Sequence, residues 1–470
     1  MKFFKKIKGW TVILCIVCMG LGACIPTLLY KTTKSQEEQK FEKIYETLQN
    51  DWYFSKNQKD LSTSLLEQAI QGMTSLEEDP HTNYFTLKQA KQFQSSLDGS
   101  TVGLGFSYYE NEAGNIVVTT VYLNSAAEQA GLQRGDEITA IDTVSCQDGI
   151  KKVIKYIQSK ENQSVLIKFN RDGKDKMVKA KPSSFDSTVA LEIFDSYGFV
   201  SVNSFSSQTG EDFSKAMKRL SNQGIHKVII DLRNNTGGYL SAAVDVASSL
   251  LPSGSVVLQE KSKDGSTVKR KCNQSIKQVK MDQIVLLQNE STASASEALI
   301  GALKEQLPEQ VTTVGTTTYG KGTEQEQLSF KDGTSMKYTV GKWYTPKGKN
   351  INKKGFTPDI EVDALEASSV SYEEFEKSDV IQADTVATNA KALQIYLDYL
   401  GYLSDRKDEY FSPSSAQALQ EFQSDQNLEA TGNCDYKTWK RLVTCVNAKI
   451  QGNKLSEDPQ YLKAIECLQS

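Results

Sequence analysis

The spacing of apolar positions changes several times along the chain, and each change predicts a different element. Gly9 to Tyr30 is a 22-residue stretch without a charge. Residues 35–97 are polar, with Phe41, Ile44, Tyr45 and Leu48 and then Leu65, Ala69 and Ile70 at helical spacing. Asp79-Pro80-His81-Thr82 breaks that pattern. Residues 98–184 read as a small glycine-punctuated domain with one short helix, Ser125 to Ala130, ending at Gly131. Over 185–370 strands and helices alternate. Phe199-Val200-Ser201-Val202 and Val228-Ile229-Ile230-Asp231-Leu232 read as strands, with Phe213, Ala216, Met217 and Leu220 on a helix between them. The uncharged run Ile284-Val285-Leu286-Leu287 predicts a further buried strand. Ala295, Ala298, Leu299, Ala302 and Leu303 predict a helix beginning near the serines that follow it. Such alternation predicts an α/β core around a largely buried sheet. An acidic, serine-rich linker, 371–385, leads to a helical region, 386–450, and a tail, 451–470.

The first 34 residues are read as a membrane segment. Lys2, Lys5, Lys6 and Lys8 precede the apolar stretch, which favours an amino terminus inside the cell and the rest of the chain outside the cytoplasm. A cleaved signal peptide is the alternative, and Leu21-Gly22-Ala23-Cys24 resembles a lipobox. Apolar residues continue past Cys24 through Ile25, Leu28 and Leu29, which favours an uncleaved anchor.

Composition narrows the function. A chain of 470 residues has room for about three units. A net charge of −4, with lysines and carboxylates interspersed, argues against nucleic acid as a partner. Outside the apolar segment stand Cys146, Cys272, Cys434, Cys445 and Cys467, an odd number, so at least one thiol is free or bridges between molecules. Cys434 and Cys445 are candidates for pairing. No spacing resembles a zinc motif, and neither metal nor cofactor is expected.

The chemistry concentrates between Ser291 and Gln325. A serine between a strand end and a helix start meets free backbone amides and the positive end of a helix dipole, which would stabilise an oxyanion. Ser294-Ala295-Ser296-Glu297 also fits a helix capping box, so a purely structural serine is the competing explanation. The chain holds two histidines, His81 and His226, and neither lies in a recognisable triad setting. A serine nucleophile would then need another base, and lysine is the usual substitute. Lys321, between Gly320 and Gly322, is the best-placed candidate.

Thr292-Ala293-Ser294-Ala295-Ser296-Glu297 together with Tyr319-Gly320-Lys321-Gly322-Thr323 resembles the carboxyl-terminal processing protease family, which works with a serine/lysine dyad. The resemblance implies Ser294 as nucleophile, Lys321 as general base and Gln325 as the group that orients the lysine. Ser296 is the second candidate nucleophile, because the serine-to-lysine gap is longer than the family pattern around Gln306-Leu307-Pro308-Glu309. The family motif also covers Asp231-Leu232-Arg233-Asn234-Asn235-Thr236-Gly237-Gly238, and implies that Gly237 or Gly238 and Ala295 supply the oxyanion-hole amides. Thr236 stands where the family usually has proline. Trp343 to Gly348 and Gly355 to Asp359 resemble family motifs as well. The expected core is of the ClpP/crotonase type.

Residues 98–184 resemble a PDZ domain, inserted before the protease core. Gly103-Leu104-Gly105-Phe106 resembles the loop that holds a peptide's terminal carboxylate, and the Ala-Gly-Leu-x-x-Gly-Asp spacing from Ala130 to Asp136 supports it. A peptide would add as a strand to the sheet edge, and the expected substrates are proteins with apolar carboxyl termini. Residues 386–450 resemble an all-α peptidoglycan-binding domain, with a helical packing or dimerisation domain as the alternative. Members of the family work through gating partners, and some dimerise, so a regulatory partner or a second copy is also expected. The competing functions are a catalytically silent PDZ scaffold tethered to membrane and wall, and a cell-wall hydrolase. The latter would want paired carboxylates or a metal cluster, neither of which is found in the sequence.

Overall fold

The structure, a computed structural model, describes residues 34–469. The apolar stretch Gly9–Tyr30 and its proposed membrane role lie outside the described residues, and among those described no helix is long and apolar enough to cross a membrane. The chain divides into two units, residues 34–86 with 327–338, and residues 87–326 with 339–470.

The smaller unit holds helices Gln36–Asn50 and Leu61–Thr74 and strand Asn83–Phe85, whose Tyr84 N–H donates to Thr74 Oγ1 at 3.2 Å. Ser35 caps the first helix through a complete capping box with Glu38. The strand pairs antiparallel with Ser335–Lys337.

The larger unit is built on a six-stranded sheet, β1 (Val189–Ile193), β2 (Gly198–Val202), β3 (Lys227–Asp231), β4 (Gln283–Gln288), β5 (Val311–Gly315) and β6 (Ile360–Glu361). The strands lie in chain order across the sheet; β1 runs antiparallel to β2 and the remaining pairs are parallel. The apolar runs seen in the sequence are the central strands, as a parallel sheet covered on both faces requires. Val228, Ile230, Ile284 and Leu286 face one core, and Ile229, Val285 and Leu287 face the other, the two-residue alternation of a pleated strand.

Helices α1 (Thr209–Asn222), α2 (Leu240–Ser248) and α3 (Ala295–Gln306) fill the first face. On α1, Phe213, Ala216, Met217 and Leu220 are fully buried, as their spacing predicts. The second face is closed by α4 (Pro459–Gln469), at the carboxyl end of the chain, through Tyr461, Ala464 and Leu468. The tail is therefore part of the α/β core. The helical region returns the chain to the sheet it left at β6.

Residues 106–180 form an antiparallel sheet in which Phe106–Glu110 and Lys174–Ala180 are the edge strands. Farther on, helices Ala390–Leu400, Pro413–Asp425 and Tyr436–Gly452 pack around Leu393, Leu397, Leu419, Phe422 and Leu442. The acidic segment before them is not a bare tether: Phe375 is buried and stacks on Trp439, with ring centres 5.0 Å apart. Cys434 and Cys445 are separate buried thiols, as are Cys146 and Cys272.

Candidate active site

Ser294 stands where strand β4 has ended and α3 begins. Its φ of 56° and ψ of −114° put a non-glycine residue in a sparsely populated region, a strain that surrounding bonds must hold. Thr292 supplies part of that hold, its Oγ1 donating to the Leu232 carbonyl at 2.9 Å while accepting from Asn289 N–H at 2.9 Å. The residue that ties the site together is Glu297, fully buried one turn into α3. Its Oε2 accepts from the Ser294 N–H and the Lys321 N–H, each at 2.8 Å. Its Oε1 accepts from the Gly320 N–H at 2.7 Å and from Thr318 Oγ1 at 2.6 Å. Burial drives the carboxyl above the usual glutamate range, and these donors pull it part of the way back. Sequence reasoning saw Glu297 only as a capping partner. The structure adds that it joins the serine turn to the lysine turn.

Lys321 is half-buried, and its main chain is held at both ends. Its N–H goes to Glu297, and its carbonyl accepts from Trp343 Nε1 at 2.9 Å. Gln325, on the strand Thr323–Ser329, donates from Nε2 to Thr323 Oγ1 at 2.9 Å and to Thr339 Oγ1 at 3.2 Å. Those two bonds set the amide's orientation, leaving Oε1 as its acceptor end.

The glycine loop after β3 packs directly on the serine. A β-carbon on Gly237 would stand 2.8 Å from Ser294 Cβ and 3.0 Å from the Ala293 carbonyl oxygen, so only glycine fits there. The two candidate donors in this loop differ. The Gly237 N–H is taken by Asn235 Oδ1 at 2.9 Å. Neither the Gly238 N–H nor the Ala295 N–H has an acceptor among the described residues. Asn235 also accepts at its carbonyl from Ala293 N–H and Ser296 Oγ, both at 3.0 Å, stitching the two loops together. Ser296 is fully buried and its hydroxyl serves that stitch.

The remaining predicted residues lie elsewhere. Gly103 ends the strand Ser100–Gly103, and Gly105, at φ 88°, leaves no room for a β-carbon beside Ser125. Leu104 is buried in the core of the small β-domain, and Phe106, partly buried against that core, opens its edge strand. His226 is exposed, with its ring Nδ1 3.4 Å from the Lys280 carbonyl oxygen, and the His81 N–H donates to Asp79 Oδ1 in the turn around Pro80. Among the described residues no cluster of three or more metal-ligating side chains occurs.

Comparison with known proteins agrees with this organisation. The profile of peptidase family S41 matches residues 196–362, that of a PDZ domain residues 117–171, and that of a peptidoglycan binding domain residues 387–442. The chain is 34% identical over 469 residues to a "Probable CtpA-like serine protease" of Staphylococcus epidermidis, covering 94% of this chain and 92% of that one. It is 31% identical over 442 residues to a protein of the same description from Staphylococcus aureus, covering 93% and 87%. Among solved structures, a photosystem II D1 C-terminal processing protease matches at 23% identity and a TM-score of 0.39, over 70% of this chain and 94% of that chain.

Proposed function

Because this chain belongs to peptidase family S41, the C-terminal processing proteases, and is a serine-type peptidase, we propose that it cleaves protein chains with Ser294 as nucleophile and Lys321 as general base. The observation that carries this reading is the Glu297 carboxylate, which bonds the backbone of both residues through one oxygen. A bond arrangement that did no more than cap a helix would have no use for a lysine turn 24 positions away.

In the neutral form, Lys321 takes the proton of Ser294 as Oγ attacks the scissile carbonyl carbon. The oxyanion is held by the N–H groups of Gly238 and Ala295, which are the open donors, while Gly237 gives the close approach. Lys321 then returns the proton to the leaving amine, and water releases the acyl group by the same route. Gln325 Oε1 accepts from the lysine and orients it. The PDZ domain captures an apolar carboxyl terminus by adding it to the edge strand Phe106–Glu110 and feeds the chain to the core. The amino-terminal apolar stretch anchors the enzyme with its catalytic part outside the cytoplasm, and residues 386–450 bring it to peptidoglycan.

The test uses the chain from residue 35 onward with an unstructured protein ending in apolar residues. Cleavage should vanish in Ser294→Ala and in Lys321→Ala and persist in Ser296→Ala. Loss confined to Ser296→Ala would reverse the assignment of the nucleophile. No cleavage by the unmodified enzyme, with membrane and wall material added, would favour a silent scaffold.

A further inference from the structure

Arg233 occupies the last position before the oxyanion loop, and its side chain is nine-tenths shielded, with a relative exposure of 11%. Its Nε and Nη2 donate to Asp231 Oδ1 and Oδ2 at 2.9 and 2.8 Å. That bidentate pair joins residues two apart at the end of one strand, so it cannot fix the loop against the rest of the fold. The remaining contacts come from the other end of the chain. Arg233 Nη1 donates to Asp458 Oδ2 at 2.7 Å and to Gln460 Oε1 at 3.0 Å. Burial works against the guanidinium charge, and Asp231 and Asp458 outweigh it, so Arg233 stays firmly cationic.

Asp458 and Gln460 are themselves held. The Asp458 Oδ1 accepts from the N–H groups of Gln460 and Tyr461 at 3.0 and 3.2 Å, which caps α4, and Gln460 Nε2 donates to the Val362 carbonyl at 2.8 Å beside β6. Tyr461 packs edge-on against Phe199 of β2, with ring centres 5.2 Å apart, and shares a 2.6 Å hydrogen bond with the Tyr197 hydroxyl. The carboxylate is therefore presented from a rigid helix on the sheet's second face.

The residues that follow Arg233 along the backbone form the loop of the proposed oxyanion hole. Asn234 adopts a left-handed φ of 61°, donates its N–H to Asn289 Oδ1 at 2.9 Å and accepts from Asn289 Nδ2 at 2.9 Å. Asn235 then orients Gly237 and receives Ala293 and Ser296, as described above. We infer that Asp458 and Gln460 are positioning residues for the peptidase reaction, holding Arg233 and through it the loop 234–238 against the Ser294 turn. This rests on the assignment of Ser294 and of the Gly238 and Ala295 donors. It goes beyond that assignment in making the helix that follows the peptidoglycan-binding-like region a working part of the active site. The reason is geometric. An oxyanion donor is effective only within a few tenths of an ångström of its place, and a misplacement of about 1 Å costs about 100-fold in rate. The loop carries three residues at positive φ, Asn234, Gly237 and Gly238, conformations that persist only where surrounding contacts hold them.

The experiment compares Asp458→Asn, which keeps the helix cap and removes the charge, and Gln460→Ala with the unmodified chain. Two readouts are taken. Peptide hydrolysis should lose about 10- to 100-fold in kcat with KM changed less than about threefold, the split of an interaction realised at the oxyanion and not at substrate capture. Hydrogen exchange, read by mass spectrometry in the Ser294→Ala background, should quicken over residues 233–240 and stay unchanged over 209–222 on α1. A kcat within about twofold of the unmodified enzyme together with unchanged exchange over 233–240 would overturn the inference. So would faster exchange spread over the whole core with kcat falling only as the folded fraction falls, since that marks a stability role alone. If the unmodified enzyme cleaves nothing, or keeps its activity in Ser294→Ala, the assignment of the nucleophile fails. The exchange over 233–240 then still decides whether Asp458 and Gln460 order the loop.

Discussion

The N–H of Ser294 and the N–H of Lys321 donate to one and the same oxygen, Oε2 of Glu297, each at 2.8 Å. Two bonds of that length to one atom keep the nitrogens within twice it, about 5.6 Å, whatever the angle between them. The strained backbone of the serine and the glycine-flanked turn of the lysine are thus measured from a common point.

Removing that point should disable both turns. Glu297→Ala leaves three N–H groups and the Thr318 hydroxyl without their acceptor in a fully buried site. Each hydrogen bond to a charged group contributes about 1.5–3 kcal/mol, so a loss of several kcal/mol in unfolding free energy and at least about 100-fold in kcat is expected. Denaturant unfolding in the Ser294→Ala background, alongside peptide hydrolysis, checks both. A variant as stable and active as the parent would refute the role given to Glu297.

The same carboxyl sets a pH dependence. Burial raises its folded pKa above the ordinary 4.5, and the four donors offset only part of that rise. A group whose folded pKa exceeds its unfolded pKa contributes stability that is fully present below the unfolded value and is lost as pH climbs through the folded one. The melting temperature of the parent, taken relative to Glu297→Gln, should therefore fall as pH rises from about 4.5 through the weakly acidic range, then level off. A relative gain over that window would give the carboxyl the opposite shift.

Gly237→Ala tests the close approach of the loop to Ser294. The new methyl group would stand 2.8 Å from Ser294 Cβ at a φ of 106°, so loop and serine must part. Activity should fall about 100-fold. Gly224→Ala, at φ 72° with open space around it, is the control and should cost about 1 kcal/mol of stability with normal kcat. Equal activity losses in the two variants would show that strain, not contact with Ser294, is responsible.

The closing helix makes its own prediction. Ending the chain at residue 450 would expose Phe199, Ile229, Val285, Leu287 and Val314, which α4 covers. The shortened protein should fail to fold to a cooperative core. The milder Tyr461→Ala should cost about 3–5 kcal/mol, as large-to-small changes at buried aromatic positions do. A truncated chain with the melting transition of the full one would show α4 to be dispensable.

Much of this was legible in the sequence because it depends on neighbours along the chain. The apolar runs of β3 and β4, the helical spacing on α1 and α3, and the serine between strand and helix all follow from local periodicity and capping chemistry. The family resemblance added Lys321 and the glycine loop as partners for Ser294. Even the Ser294-x-x-Glu297 box was visible as a cap.

What the sequence could not show is where the other contacts of those residues go. Glu297 reaches Thr318, Gly320 and Lys321, which lie 21 to 24 positions onward, and Arg233 reaches Asp458 across 225 positions. Nothing in the spacing of 451–470 distinguishes a loose tail from a helix that closes a sheet, because an amphipathic stretch declares that it has a buried face but not what buries it. Local pattern determined the elements and the chemistry they could carry. Only the tertiary structure decided that the Glu297 carboxylate joins the serine turn to the lysine turn and that Asp458 meets Arg233, because those contacts form when distant segments are excluded from water together.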